Sequence, residues 1–424
     1  MSVRARGPGS GERGAGSGGL GPGVDAGGGT ESERIVAGGV GRGASSASGP
    51  LPAPRSPLPV RSVLIVRLSA LGDCIHALPA IQALRAARPD LRIGWAVDDR
   101  FSPLFEGHPA VDEIFVLPRR SLAGSGWLSR GAALRDLGRR LRAAKFDAAV
   151  DMQGLGKSAL VTLASGAPLR IGLSSAAGAR EFSWATYNRR PPVPESCRHV
   201  AERSLALLAP LGVPADAALG VPHLPENAAA RAAVDKQLAD AGLAGRPFAV
   251  LNPGAGWETK LWPLGHYAGL ARMIEAELGL AVLVTWFGER EREMAGRIAA
   301  ESGALPAAAT GLGELAGLLR RAALYVGADT GPTHVAAAAG APTIGLFGPA
   351  DAVRNRPLGP RVEVLTAGLE CAPCWRRKGC RRGVECMTAI LPEQVLAAAR
   401  RLLAVDRPAA RPSPLVPGSG SAGS

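Results

Sequence analysis

Aromatic residues are scarce in this chain of 424 residues. They make up 4% of it, whereas hydrophobic residues of all kinds make up 46%. The cores must therefore be built mainly from Ala, Val, Leu and Ile. A chain of this length and apolar content is predicted to form two or three domains.

Long apolar runs are also missing. A transmembrane helix needs about 18 or more apolar residues in succession, and the closest run, 335–347, is mostly Ala and Gly and is interrupted by Pro342. The first sixty residues lack the continuous apolar segment of a secretory signal. We therefore expect a cytoplasmic protein that is peripheral to the inner membrane.

Acidic residues are the minority among the charges, and the formal net charge is +13. Such a balance favours acidic partners. Because no block of Lys and Arg is interleaved with aromatic residues, we expect no nucleic acid among them. An anionic membrane surface or a phosphorylated acceptor suits the charge, and the alternative is a generally Arg-rich surface without a specific partner.

Cysteines are few, but four of the six lie close together in the sequence as Cys371, Cys374, Cys380 and Cys386, among several arginines. Four clustered thiolates are a possible zinc site. The spacing is not that of two CxxC pairs, however, and it favours a basic loop that faces a phosphorylated acceptor. In a reducing compartment stable disulfides are not expected. We predict neither a metal nor a cofactor.

Segments rich in Gly, Ser and Pro at 1–60 and 406–424 are predicted to be disordered. Between them, β-branched runs alternate with helical patterns, and the runs are apolar throughout, as in strands buried on both faces. The predicted strands are 62–67, 91–97, 112–117, 148–151 and 169–172 in the first half, and 248–252, 281–285, 323–326 and 343–347 in the second.

This alternation predicts an α/β fold of two doubly wound, Rossmann-like domains facing across a cleft. The predicted boundaries are a first domain at 61–215, a linker at 216–226, a second domain at 227–390 and a C-terminal helix at 391–405. Ligands of such sheets bind at the carboxyl ends of the strands, so the cleft is the expected active site.

The loop at 67–73 follows the first predicted strand and ends on Asp73, at the start of a helix. From there a carboxylate projects into the cleft. The alternative is an ordinary helix N-cap, for which Asp is a common residue.

The segment 328–334 follows a later strand and contains Asp329, Thr330, Gly331 and His334. Gly331 allows the backbone to approach a ligand, and a helix N-terminus favours phosphate. Asp329 would repel a diphosphate and suits sugar hydroxyls better. The alternative is an ordinary capped helix.

Two further loops in the second half carry charge after a strand. Lys260, in the Gly-rich loop 252–263, is placed to bind phosphate as a point charge. Glu291 is placed to bind ribose hydroxyls, although it is equally consistent with one more charge at a helix start.

In combination, these motifs resemble glycosyltransferase family 9, the bacterial lipopolysaccharide heptosyltransferases, over 63–403. The residues that carry the resemblance are LIVRLSALGD at 64–73 with LPA at 78–80, DMQGL at 151–155 with Lys157 and Ser158, KLWP at 260–263, DTGPTH at 329–334 and GLFGP at 345–349. Residues 187–189 and 199–203 look like the first heptosyltransferase, whereas the cysteine segment looks like the second.

The resemblance implies a GT-B fold in which the first domain binds the acceptor and the second the nucleotide-sugar. It implies inverting transfer of L-glycero-D-manno-heptose from ADP-heptose to the lipopolysaccharide inner core, either Kdo-lipid A or heptosyl-Kdo. Asp73 matches the family's catalytic base. The residues matched to donor binding are Lys260, Asp329, Thr330, Gly331 and His334, with Glu291 for the ribose.

Four cations are assigned by charge alone to the phosphates or carboxylates of a lipid-linked saccharide acceptor: Arg119, Arg120, Lys157 and Arg180. Three alternatives stay open. The chain could be a family member with another sugar nucleotide or acceptor, a sugar-nucleotide epimerase of the same architecture, or a non-catalytic binder.

Overall fold

Two parallel β-sheets form the framework of the chain in this computed structural model, which describes residues 59–119, 126–215 and 217–404. The tails predicted at 1–60 and 406–424 lie almost wholly outside the described residues. No helix in the described part of the chain is long and apolar enough to cross a membrane.

The first sheet builds what we call the N-terminal lobe. Its strands stand in the order β3-β2-β1-β4-β5, and all their pairings are parallel. The strands are β1 (Ser62–Val66), β2 (Arg92–Asp98), β3 (Glu113–Leu117), β4 (Ala148–Asp151) and β5 (Leu169–Gly172). The helices of this lobe are α1 (Leu71–Ala87), α2 (Trp127–Ala143), α3 (Gly156–Ala164) and α4 (Val200–Ala206).

The second sheet builds the C-terminal lobe, again with parallel pairings, in the order β11-β10-β9-β6-β7-β8. Its strands are β6 (Phe248–Asn252), β7 (Ala281–Val284), β8 (Leu305–Pro306), β9 (Leu324–Ala328), β10 (Thr343–Phe347) and β11 (Val362–Thr366). Its helices are α5 (Ala228–Asp240), α6 (Leu264–Leu278), α7 (Gly288–Ser302), α8 (Leu312–Arg321), α9 (Gly331–Ala338), α10 (Ala352–Asn355), α11 (Glu385–Thr388) and α12 (Pro392–Ala404).

The central strands of both sheets are buried on two faces, which explains why their middle residues are apolar without alternation. In β1, Val63 and Ile65 enter one hydrophobic cluster, whereas Leu64 and Val66 enter another on the opposite face. The second sheet divides its residues in the same way. The prediction of two doubly wound α/β units is confirmed, whereas the exact domain boundaries remain a prediction.

The lobes touch where α1 begins in one and α9 begins in the other. A Cβ added to Gly72 would lie 2.4 Å from Cδ2 of His334, and one added to Gly331 would lie 2.8 Å from Cδ2 of Leu71. Any larger side chain would force the helices apart, so these glycines allow the two helix starts to meet. The loops after β1 and β9 are thereby brought to the same point.

Candidate active site between the two lobes

Asp73 lies in the first turn of α1, and both of its carboxylate oxygens are engaged. Oδ2 accepts a hydrogen bond from the backbone N–H of Ala70 at 3.2 Å, and Oδ1 pairs with Nη2 of Arg67 at 2.8 Å. Asp73 is therefore not the N-cap residue of α1, which is Ala70. It is the third helical residue, its side chain accepts from the N-cap N–H, and it remains 38% exposed. This geometry holds a carboxylate in one orientation at the cleft.

Arg67 is buried, and its guanidinium also donates to the carbonyl of Met152. A buried charge of this kind is costly unless it is paired and hydrogen-bonded. Asp73 supplies its counter-charge, which ties the position of the carboxylate to the end of β1. Sequence reasoning quoted Arg67 in the first motif but gave it no role.

The loop that leads into α1 is held by the β4–α3 connection. Oε1 of Gln153 accepts from the backbone N–H of Leu68 at 2.9 Å, and Nζ of Lys157 donates to Oγ of Ser69 at 2.7 Å. Burial lowers the pKa of Lys157, the nearby Arg119 lowers it further, and the charge of Asp98 opposes both. The amine of Lys157 is therefore held against the loop that leads to Asp73.

On the C-terminal lobe, Asp329 is the centre of a buried charge cluster. Its Oδ2 lies 2.6 Å from Nζ of Lys260, and its Oδ1 lies 3.3 Å from Nε2 of His334. Burial works to raise the pKa of Asp329, but the hydrogen bonds and charges of His334 and Lys260 hold it below its ordinary value. The structure thus joins three of the residues matched to the donor.

Lys260 is also held from its other side by an aromatic ring. Its Nζ lies 4.3 Å from the ring centroid of Trp257, a cation–π contact. Lys260 ends the short helical turn Glu258–Lys260, Trp257 is the N-cap residue of that turn, and Thr259 within it donates to the carbonyl of Arg376. The ammonium group is therefore fixed at the carboxyl end of β6 before any ligand arrives.

Helix α9 opens at the same place without a side-chain cap. Thr330 is its N-cap residue in extended backbone, and Pro332 occupies the first turn. The N–H groups of a first helical turn have no partner within the helix, so an uncapped start offers donors and a positive dipole to an anion.

Glu291 lies across the backbone of the loop that carries Lys260. A Cβ added to Gly254 would fall 2.2 Å from Cδ of Glu291. Its Oε2 accepts from the N–H of Phe287 at 2.9 Å, and burial raises the pKa of the carboxyl group. The lack of a side chain at Gly254 thus leaves the space that the Glu291 carboxylate occupies.

Further arginines surround Asp73, and sequence reasoning did not identify them as a group. Burial lowers the pKa of Arg354, which lies in α10 of the opposite lobe. The charge of Asp73 opposes that shift, whereas those of Arg203, Arg67 and Arg180 add to it. Arg354 is therefore within electrostatic reach of three other arginines and of the Asp73 carboxylate. Such an excess of positive charge is suited to an anionic ligand.

Three histidines meet at the contact between the lobes. The ring of His76 in α1 lies 4.8 Å from that of His199 and 4.5 Å from that of His334, edge to face in both cases. Nε2 of His199 contacts the carbonyl of Arg356 in the other lobe at 2.9 Å. Burial, reinforced by the other two histidines, keeps the pKa of His76 well below its ordinary value.

The remaining acceptor candidates are less closely placed. Arg119 is mostly exposed, and its Nη1 lies 3.8 Å from Oδ2 of Asp98. Nη2 of Arg100 lies closer to the same oxygen, at 2.8 Å. Arg180 is exposed and acts on the cluster around Asp73 through Arg354. Arg120 lies outside the described residues.

The cysteine segment packs against the donor loop. All four of its cysteines are free thiols, and no group of three or more His, Cys, Asp or Glu among the described residues is arranged to hold a metal. The guanidinium carbon of Arg377 lies 5.2 Å from the ring centroid of Trp257, the same ring that Lys260 contacts. The ring centroid of Trp375 lies 6.3 Å from that of Trp257. The segment therefore places basic and aromatic side chains against the loop that carries Trp257 and Lys260.

Comparison with known proteins gives a consistent result. A family model described as glycosyltransferase family 9 (heptosyltransferase) matches residues 134–384, more than half of the chain. Lipopolysaccharide heptosyltransferase 1 of Pseudomonas aeruginosa is 34% identical over 319 residues, which cover 74% of this chain and 86% of that protein.

Solved structures agree on the fold. A family 9 glycosyltransferase from Veillonella parvula has a TM-score of 0.69 at 23% identity and covers 82% of this chain and 98% of its own. The E. coli heptosyltransferase WaaC with ADP-2-deoxy-2-fluoro heptose has a TM-score of 0.61 at 26% identity and covers 79% and 99%. The predicted GT-B architecture is confirmed.

Proposed function

The chain belongs to glycosyltransferase family 9 and is a glycosyltransferase, and we propose that it transfers L-glycero-D-manno-heptose from ADP-heptose to Kdo in the lipopolysaccharide inner core. The choice of a Kdo-terminated acceptor follows the resemblance of residues 187–189 and 199–203 to the first heptosyltransferase, and it is supported by similarity to a relative named lipopolysaccharide heptosyltransferase 1. The observation that carries the chemistry is the meeting of the Asp73 turn with the Asp329–His334 turn at one contact between the lobes.

Asp73 acts as the general base. An inverting transfer is a single displacement and needs one carboxylate, whereas a retaining reaction through a covalent intermediate needs a second. As the acceptor hydroxyl attacks the anomeric carbon, Asp73 accepts its proton. Arg67 keeps the carboxylate oriented through its contact at 2.8 Å, and that rigidity is what makes positioning effective.

Lys260 and the start of α9 stabilise the leaving ADP. Negative charge grows on the diphosphate as the glycosidic bond breaks, and pre-placed donors stabilise it without having to reorganise. In the described state Asp329 neutralises Lys260. An incoming diphosphate would share this ammonium with Asp329, and His334 would keep the second carboxylate oxygen engaged.

Glu291 orients the nucleoside end of the donor. Its carboxylate lies at the carboxyl ends of β6 and β7, with one oxygen bound to the backbone of Phe287. A ribose diol donates two hydrogen bonds, which suits a carboxylate acceptor. Along the cleft, Glu291, Lys260 and Asp73 then follow one another in the order of the ribose, the diphosphate and the sugar of the donor.

The acceptor occupies the arginine cluster. Kdo carries a carboxylate and lipid A carries phosphates, both of which arginine binds through a planar fork. Arg180 and Arg203 lie on the N-terminal lobe and Arg354 on the C-terminal lobe. An anion held among them would draw the lobes together around Asp73. We further propose that the lipid-linked acceptor keeps the enzyme peripheral to the inner membrane.

The test is incubation of the purified protein with ADP-heptose and two deacylated acceptors, one ending in Kdo and one ending in heptosyl-Kdo. Mass spectrometry should show one heptose added to the Kdo acceptor, together with stoichiometric ADP. Addition only to the heptosyl acceptor would contradict the subtype. Conversion of the donor without an acceptor would contradict transfer and indicate an epimerase.

A further inference from the structure

The outer face of the N-terminal lobe exposes apolar side chains that belong to neighbouring elements. Leu160 and Leu163 of α3 are 68% and 41% exposed, and Leu128 and Leu134 of α2 are 63% and 52% exposed. Together with Phe182, 77% exposed, they make up five of the eleven large hydrophobic side chains that the described residues expose. We call these five residues the leucine face.

The two helices lie side by side on one face of the first sheet. Leu137 and Leu141 of α2 and Val161 of α3 enter the same hydrophobic cluster as Leu64 of β1. A Cβ added to Gly138 would lie 4.0 Å from Cβ of Ala164, so the helices are in contact. Both helices bury their inner sides in that cluster, and Leu128, Leu160 and Leu163 lie on the sides left free. Leu134 lies on the same side of α2 as Leu141, but in the N-terminal half of the helix, from which no described residue enters the cluster.

The aromatic turn joins the same surface. Oε2 of Glu181 accepts from the N–H of Gly156, the first residue of α3, at 2.9 Å. Phe182 follows directly, with its ring 5.2 Å from that of Trp184. This contact fixes the exposed phenyl ring beside the N-terminal end of α3.

Positive charge borders the leucine face. Helix α2 contains five arginines and one aspartate, and Arg135, Arg139 and Arg142 are exposed along it. Of these, Arg139 pairs with Asp136 in an exposed i,i+3 contact, which stabilises little in water. Apolar side chains flanked by arginines are typical of a surface that inserts shallowly between anionic lipid headgroups.

The position of α3 links this surface to the active site. Lys157, in its first turn, donates to Ser69 of the catalytic loop, and Leu160 follows one turn later, a rise of about 5 Å. A bilayer against the leucine face would therefore lie close to the cleft. The acyl chains of an acceptor could remain in the membrane while its sugar reaches Asp73.

We propose that the leucine face, with the arginines of α2, is the surface by which this enzyme docks on an anionic phospholipid bilayer. This inference rests on the proposed function only for its purpose, since lipid binding can be measured without donor or acceptor. The occupant is a lipid surface rather than a second copy of the chain, because the exposed leucines are bordered by like charges that would repel one another across a symmetric interface.

The experiment is flotation of the full-length protein with vesicles of phosphatidylethanolamine, with and without phosphatidylglycerol. The variant Leu160→Ser/Leu163→Ser is compared with Val221→Ser/Leu391→Ser, which removes exposed apolar side chains elsewhere. The wild type and the control should bind the anionic vesicles and not the neutral ones, and binding should fall as salt rises. The Leu160/Leu163 variant should bind about tenfold more weakly.

Transfer to the deacylated acceptor should be the same for all three proteins, because the serines are outside the catalytic machinery. Equal vesicle binding by the two double variants, or no binding by the wild type, would overturn the proposal. A change from oligomer to monomer in light scattering with vesicle binding unchanged would overturn it in favour of self-association. Failure of transfer with intact vesicle binding would instead count against the proposed reaction.

Discussion

Asp73→Asn is the substitution that bears most directly on the mechanism. It preserves the shape of the side chain and the acceptor oxygen, but it removes the charge that accepts the proton and that pairs with Arg67 at 2.8 Å. Loss of a general base typically lowers the rate by about 10² to 10⁴-fold, or roughly 3 to 5 kcal/mol of barrier. We expect the turnover number to fall by such a factor.

The effect on the fold should be smaller. Arg67 keeps its bond to the Met152 carbonyl but loses its counter-charge while buried, whereas Asp73 is 38% exposed. The lost pair should therefore cost about 1 to 3 kcal/mol of unfolding free energy, between the values for exposed and for buried ion pairs. ADP affinity should change less than about threefold, because Lys260 and α9 belong to the other lobe. A tenfold change would correspond to about 1.4 kcal/mol of binding free energy.

The assay is the initial rate of ADP release at saturating acceptor, with ADP affinity by calorimetry and stability by urea unfolding on the same samples. The control is Asp90→Asn, which changes an exposed carboxylate of the same lobe whose partner is Arg88. Retention of more than a tenth of the wild-type rate by Asp73→Asn would refute the assignment of the base. Loss of ADP binding would show that the variant had disturbed the cleft as a whole.

Further predictions concern the donor, metal dependence, the lobe contact, the acceptor and pH. Lys260→Met should weaken ADP binding, measured by calorimetry, by about 10- to 100-fold, as for a lost charge-assisted hydrogen bond. The wild type should stay fully active in a series of EDTA concentrations. Gly72→Ala should lower the unfolding free energy by about 1 to 3 kcal/mol, as for overpacking, because the added Cβ would meet His334. Gly131→Ala is the control, since a Cβ there would enter open space. Urea unfolding of both variants measures the difference. Arg354→Ala should raise the acceptor KM with little change in ADP affinity, and equal KM values would remove Arg354 from the acceptor site. Burial, with His223 nearby, lowers the pKa of His108 to about 4. As pH drops from about 6.5 to 4 the unfolded state therefore binds the proton first, and the unfolding free energy should fall by up to about 1.4 kcal/mol per pH unit. In His108→Gln, urea unfolding should show a weaker dependence of the unfolding free energy on pH.

The sheets were largely predictable because burial on both faces leaves a local signal. Strands β4, β5, β6 and β10 have the predicted bounds, and the others predicted differ by one or two residues at their ends. Strands β8 (Leu305–Pro306) and β11 (Val362–Thr366) were not predicted. They are the two edges of the second sheet. β8 is exposed and β11 is at most partly buried, so both lack the continuous apolar pattern of a central strand.

In the candidate site, too, some residues are marked by a local sequence pattern and others are not. Asp73, Asp329 and Lys260 were identified because each follows a strand within a loop that glycine marks, and such loops converge at the carboxyl ends of a parallel sheet. Arg354 and His76 carry no such signal. Their surroundings are supplied by the opposite lobe, and no pattern in the sequence records which side chains meet across a cleft.

The contact between α1 and α9 gives these separate residues a common mechanical basis. Gly72 lies against the ring of His334, and His334 in turn holds Asp329, the partner of Lys260. One movement of the lobes would therefore shift the proposed base and the proposed diphosphate site together, whereas a change confined to either lobe would separate them. Because His76 is buried against two other histidine rings and its pKa lies well below its ordinary value, charging His76 would place a cation inside this contact, and acid should open the cleft before it unfolds either sheet.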